Sequence, residues 1–453
     1  MNVIHHGASD GVTGSCHELV DGQCRILVDC GIYQGEERPH SLDVDFDVKS
    51  LQALLITHAH IDHIGRIPWL LAAGYYGPIY ASEATAQLIP IMLDDGLKIQ
   101  LGLNRHQRAR FLDVVRARIR PIPYGCWVQL AQVIGPPVKF RFQPAGHILG
   151  SSIIEVELGS GQRVVFSGDV GRYNSSLLPD PAVIPCADLL VLESTYGDKT
   201  HDQAAEREQV LRQMVERSLE NGGAILIPAF SVGRTQEILF DLENIIASTP
   251  LNGRWHELPI VVDSPLADKV TSQYQQYQRL WSKEAKERLD AHRQPMAFES
   301  LARIASHEQH LTLVQRLLST NEPVIVIASS GMCTGGRIMN YLKALLPVRE
   351  TDVVLAGYQA RGTLGAQLQS GCEQVEIDGE QIAVNAAVHT LGGYSAHADA
   401  DDLVKFVGNM TQLPGKVRLV HGEEHAQRGL ASRLQHAFSG LSVELGCESV
   451  KGM

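Results

Sequence analysis

The sequence predicts an α/β fold in which one domain is inserted into another, and three observations point there. Short β-branched runs bounded by Gly, Asp and Asn fill the first third. A unit of apolar strand, Gly/Ser loop and helix then comes three times in outline, as parallel α/β structure requires. Histidine motifs stand near both ends of the chain, and if both serve one site, the middle is an insertion.

The candidate strands of the first third are Arg25–Asp29, Leu51–Thr57, Ile153–Leu158, Arg163–Ser167 and Asp188–Glu193. Residues 83–120 carry helical spacing instead, with Ala84, Leu88 and Met92, then Phe111, Leu112 and Val115, on recurring faces. An amphipathic helix is expected from about residue 202, apolar at Val210, Leu211, Met214, Val215 and Leu219 and closed by Gly222 and Gly223. The three strand–loop–helix units occupy 224–246, 323–346 and 353–368, and residues 417–421 add a late strand. The expected domains are 1–205, 206–384 and 385–453, the first and last forming one body.

A chain of 453 residues suits two or three domains. Its 39 Lys and Arg against 51 Asp and Glu give a formal charge of −12. That balance excludes a polybasic coat protein, whose affinity comes from neutralising many phosphates at once. No apolar run is long enough to span a bilayer, and the N-terminus lacks the basic and apolar regions of a signal peptide. The eight cysteines form no close pair, which excludes a disulfide scaffold and leaves the cytoplasm as the expected compartment. Against the overall acidity, six arginines stand between 105 and 120 beside a single acid, Asp113. Such a run suits an RNA backbone. It equally suits a solvated face or a subunit interface, the last making the chain a homo-oligomer.

The densest signal is His58, His60, Asp62 and His63, four metal-ligand types within six residues directly after an apolar strand. Two alternating imidazoles followed by a carboxylate–imidazole pair can feed two adjacent ions. Two ions about 3.5–4 Å apart need further donors. His147 in a Gly-flanked loop, Asp169 at a strand end and His421 at the end of VRLV have the right setting.

HAHIDH (58–63), with Asp29 in LVDCG, His147 in GHILGS and Asp169 in SGDVG, resembles the motif series of the metallo-β-lactamase fold. LESTYGD with Glu193, PAFSVGRTQE (228–237), DSPLA (263–267), SSGMCTGGR (329–337), GYSAHAD (393–399) and LVHGE (419–423) are similar to the β-CASP branch, in particular to the cleavage-and-polyadenylation endonuclease and its stand-alone bacterial relatives. The match runs from about residue 3 to about 426 with no metal position replaced. The resemblance implies a four-layer αββα domain carrying two zinc ions and an inserted α/β β-CASP domain. It implies His58, His60 and His147 on one zinc, Asp62, His63 and His421 on the other, and Asp169 bridging. It places Asp29 where it orients ligand or water, and Glu193 and His397 toward the leaving group.

Chemistry adds to these expectations. A departing oxygen needs a proton, and His397 is the candidate general acid, held by Glu193. Loop amides before a helix bind anions, so Arg361, Gly362, Thr363 and Ser395 are candidate substrate contacts. The expected activity is zinc-dependent hydrolysis of phosphodiester bonds in single-stranded RNA, endonucleolytic in preference to 5′-exonucleolytic, in RNA processing or decay. Three rivals are weighed against it. A small-molecule ester or thioester hydrolase of the same fold lacks the insertion, and a non-catalytic scaffold predicts lost ligands. A DNA-directed relative typically carries an apolar residue where His421 stands.

Overall fold

The computed structural model describes all residues except 35–36, 38–40, 132–135, 202–203, 251–252, 321, 358, 361 and 451–453. The chain divides into two compact units, Met1–Thr200 with His397–Met453, and His201–Ala396.

The first unit holds two sheets. One has six strands in the order Asn2–Gly7, Cys16–Asp21, Cys24–Val28, Ala53–Leu55, Ile79–Ser82 and Ile119–Ile122. The other has seven, in the order Ser442–Leu445, Lys416–Val420, Leu189–Glu193, Arg163–Phe166, Ser152–Glu157, Lys139–Pro144 and Val128–Gln129. Alternation along Lys139–Pro144 turns Phe140 and Phe142 inward and leaves Lys139 and Arg141 half-exposed. The inward residues of both sheets, among them Val28, Leu55, Phe140, Ile154, Phe166 and Val191, share one core.

Helices complete the four layers. Ala400–Gly408 and Glu424–Ala437 place Leu403, Phe406, Leu430 and Leu434 on Ile153, Val165, Leu190 and Leu192 of the second sheet. On the first sheet's side lie α1 (Ile61–Ile64), α2 (Ile67–Ala72), α3 (Glu83–Leu101) and α4 (Arg105–Arg118). Of these, α3 packs against the strands Ile79–Ser82 and Ile119–Ile122. The helical pattern expected through residue 120 therefore stops at Arg118. Pro121 disfavours helix at Arg120, and residues 119–122 pair in parallel with Ile79–Ser82 as an edge strand.

Register brings the chemistry to strand ends. Val28 pairs in parallel with Leu55, so Asp29 and Thr57–His58 leave neighbouring strands on the same side. Glu193 pairs with Val420, and Phe166 with Val191, so Asp169, Glu193 and His421 follow adjacent strand ends of the other sheet.

The second unit is built on six parallel strands in the order Leu301–Arg303, Ile260–Asp263, Val324–Ala328, Ala224–Pro228, Asp352–Leu355 and Ala387–Thr390. Its central strands are buried throughout, and each of two apolar clusters contains residues from them. Helix packing on both faces is why these strands read as continuous apolar runs in the sequence. The amphipathic helix spans Ala204–Asn221. Residues 385–396, expected with the metal-bearing part, lie in this unit because Ala387–Thr390 pairs with Asp352–Leu355. Among the described residues no helix is long and apolar enough to cross a membrane.

Candidate metal centre

Thr57 ends the first arm of the site. Its amide and hydroxyl donate to the two Asp29 oxygens at 2.8 and 2.8 Å, and the Ser15 hydroxyl donates to Asp29 at 3.3 Å. Asp29 itself lies in the left-handed region at φ 59°, as does His421 at φ 51°. Non-glycine residues held there store about 1–3 kcal/mol each and persist where the surroundings fix them. Gly31 allows the close approach: a Cβ at that position would lie 1.4 Å from the Asp62 carbonyl oxygen.

Three groups of donors result, each with its ligand atoms within 4.8 Å of one another: His58, His60, His147 and Asp169; Asp62, His63 and His421; Asp169, Glu193 and His397. In the first group the His58 Nε2 and His147 Nε2 atoms face His60 Nδ1 at 3.1 and 3.2 Å. In the second, His421 Nε2 and His63 Nε2 lie 3.6 and 3.9 Å from Asp62 Oδ2. Asp169 joins them. Its Oδ2 faces His58 at 3.4 Å and His147 at 3.6 Å, while its Oδ1 faces His63 at 3.3 Å and His421 at 3.7 Å.

Whether a cation fits is decided by the atoms at the centre. His63 Nε2, Asp169 Oδ1 and His421 Nε2 are buried and make no hydrogen bond. A buried polar atom left so costs about 1–3 kcal/mol, and here three converge on one point. An imidazole–carboxylate set is the donor chemistry of zinc and related divalent ions. The residues fit such an ion.

Electrostatics agree. Burial pushes the His58 imidazole well below its ordinary range and His60 down to about 4, so both are neutral donors at pH 7. Burial also opposes charge on His63, but Asp169 and Asp29 outweigh it and raise that imidazole well above normal. For Asp62, burial pushes upward, and the His421 contact and the His63 charge prevail to hold it at about 2.

The third group is oriented by hydrogen bonds. Glu193 Oε1 accepts from the Val170 amide at 2.6 Å, and its Oε2 accepts from the Thr195 hydroxyl at 2.6 Å. His397 Nδ1 lies 3.2 Å from Glu193 Oε1, and its Nε2 lies 3.9 Å from Asp169 Oδ2. A bridge between Gly171 and His397 and an Ala398 amide donating to Val170 carbonyl at 2.7 Å fix its backbone. Burial opposes charge on His397, and Glu193 followed by Asp169 outweighs it, giving about 9.

All of His58, His60, Asp62, His63, His147, Asp169, His421, Asp29, Glu193 and His397 thus meet in the first unit. Gly362, Thr363 and Ser395 belong to the second unit. Gly362 sits at φ 82°, and the Thr363 hydroxyl accepts from the Ala366 amide to cap helix Leu364–Gln369. Ser395 is buried, and Arg361 lies outside the described residues. Sequence reasoning missed Ser15, Thr57 and Thr195, the hydroxyls that hold the carboxylates. Only Thr57 carried a signal, as the residue immediately before His58.

Family models place this centre in context. The Metallo-beta-lactamase superfamily model matches residues 10–227, the Beta-Casp domain model 235–368, and the Zn-dependent metallo-hydrolase RNA specificity domain model 381–445. Ribonuclease TTHA0252 of Thermus thermophilus is 37% identical over 98% of both chains. The chain belongs to the β-CASP branch of the metallo-β-lactamase superfamily. Other β-CASP relatives include the transcription termination factor FttA of Methanocaldococcus jannaschii, 32% identical over 97% of this chain and 69% of that one. FttA of Pyrococcus abyssi is 34% identical over 92% and 66%. A crystal structure of a protein of unknown function from Enterococcus faecalis V583 shares the fold, with a TM-score of 0.55 at 12% identity over 98% of this chain and 96% of that one. Family and donor set together support a divalent metal at this site.

Proposed function

We propose that this chain is a zinc-dependent ribonuclease that hydrolyses phosphodiester bonds of single-stranded RNA at a centre of two zinc ions, acting in RNA processing or decay in the cytoplasm. The observation that carries this reading is Asp169, whose two carboxylate oxygens each face a separate pair of histidines. A centre so divided suits two ions, with His58, His60 and His147 on one side, Asp62, His63 and His421 on the other, and Asp169 between. The names of the relatives from Thermus and the archaea and the RNA specificity match favour RNA as substrate.

Two such ions would lower the pKa of an attacking water and stabilise charge on the phosphoryl oxygens. The chain's own residues do the rest. Asp29 keeps the His63 ring turned toward the centre through Nδ1, 2.7 Å away. His397 donates a proton from Nε2 to the departing oxygen, and Glu193 holds the ring by Nδ1 so that Nε2 points inward. Asp62 would hold an ion together with His63 and His421 and would accept a hydrogen bond from the attacking water. Endonucleolytic cleavage is preferred to 5′-exonucleolytic action.

A time course on 5′-labelled single-stranded RNA, with zinc and with a chelator, tests the proposal. Labelled intermediate fragments that appear with zinc and vanish with chelator are expected. Early release of labelled mononucleotide would overturn the endonuclease preference. Turnover of small esters with RNA left intact would overturn the ribonuclease reading, and RNA binding without cleavage would favour the scaffold.

A further inference from the structure

The arginine run is not used by the metal centre, yet the fold leaves much of it open. Helix α4 begins with a capping box, Asn104 accepting from the Gln107 amide and Gln107 returning the bond, so its N-terminal turn is fixed. Arg108 anchors it, donating to Asp94 of α3 at 2.8 Å and to the Leu103 carbonyl at 2.7 Å. Among the described residues, Arg105 and Arg110 are exposed and form no ion pair. Among the described residues, Arg116 meets only the exposed Asp113, and Arg120 donates only to backbone carbonyls. Beside the helix end, Tyr76 is 78% exposed, with the Arg118 guanidinium 5.7 Å over its ring.

Position ties this face to the centre. Asp94, which holds Arg108, lies two residues from Gly96 on α3, where a Cβ would meet Ile61 at 3.1 Å. Ile61 opens α1, the helix that carries Asp62 and His63. The basic helix is therefore separated from the metal centre by one helix, a width of about 10 Å, and runs on for roughly 21 Å.

We infer that α4 and Tyr76 form a track for single-stranded RNA flanking the cleaved bond. The inference rests on the ribonuclease reading. A polyanion suits this face better than a second copy of the chain: the charge is spread along the helix, and Val114 is the large apolar residue α4 exposes. Guanidinium groups contact successive phosphates, and an exposed ring beside a cation offers a base a stacking platform.

The test is the salt dependence of binding to a 2′-O-methyl oligouridylate of roughly 30 nucleotides, for the wild type and for the triple variant Arg105→Gln, Arg110→Gln, Arg116→Gln. Losing three phosphate contacts should flatten the slope of log K against log salt by about 2. KM for a long cleavable RNA should rise while kcat, and cleavage of a short oligonucleotide, stay unchanged. Tyr76→Ala should weaken binding about tenfold with the slope unchanged. An unchanged slope and KM in an actively cleaving triple variant overturns the track and leaves the ribonuclease reading standing. Conversion of a wild-type dimer to monomer by the triple substitution, seen by sedimentation, would make the face a subunit interface and also overturn it. Failure of the zinc-loaded wild type to bind or cleave RNA overturns both.

Discussion

Each unit of this chain buries an aspartate against histidine, and the two clusters differ in how fully they are hydrogen-bonded. In the second unit Asp263 accepts from Arg337 through Oδ1 and from the Tyr341 hydroxyl through Oδ2 at 2.6 Å, with His310 Nδ1 also 2.6 Å away. The far nitrogen of His310 meets the Asn340 amide at 2.7 Å. Every acceptor there has a protein partner. In the first unit Asp169 Oδ1, His63 Nε2 and His421 Nε2 make no hydrogen bond, although all three are buried. A satisfied cluster ties Ile260–Asp263 to helices His307–Thr320 and Ile338–Leu345. An unsatisfied, convergent one is built for something from outside the chain. Hydrogen-bond accounting separates the two.

The contrast is sharpest under substitution. Asp169→Asn should bring RNA cleavage below detection and reduce bound metal, because asparagine keeps one oxygen and no charge and cannot serve both pairs of histidines. Activity and metal analysis on the same preparation check this, and full metal content would contradict it. His397→Ala should lower kcat by about 10²–10⁴-fold with metal content unchanged, as expected of a lost general acid. Zinc loss in that variant would count against the acid role. Asp263→Ala should do the opposite of Asp169→Asn. It leaves metal bound but costs about 3–5 kcal/mol of stability, because Arg337, His310 and the Tyr341 hydroxyl lose their shared buried acceptor. Denaturant unfolding of the metal-loaded chain measures the loss.

A smaller effect comes from Asp402. Burial, and next the charge of Asp399, push its pKa up to about 6 from an ordinary 3.8. The folded chain then holds more protons than the unfolded one between about pH 4 and 6, so stability falls as pH rises through that window. Asp402→Asn should raise the Tm by about a few degrees near pH 8, with the gain fading below about pH 4. An equal gain at both ends would rule out the charge as its cause.

Much of the centre was legible because its ligands are local in sequence. His58 to His63 fit within six residues, and Asp169 and His421 each close a recognisable strand. The parallel sheet of the second unit was legible for a related reason: its strands are buried on both faces and so are apolar throughout. Other features depend on long-range pairing. That Ala387–Thr390 joins the second unit follows from its bonds to Asp352–Leu355, which its four residues do not announce. Ser15 and Thr195 carry common side chains whose role appears only when Asp29 and Glu193 fold against them. Thr363 reads as a phosphate contact in sequence, whereas in the fold its hydroxyl caps its own helix.

The divided carboxylate of Asp169 defines the centre, and metal stoichiometry tests its role most directly. Elemental analysis of the purified, zinc-equilibrated chain should give about two zinc ions per chain, falling together in Asp169→Asn. A single zinc in the wild type, or two retained in the variant, would contradict it.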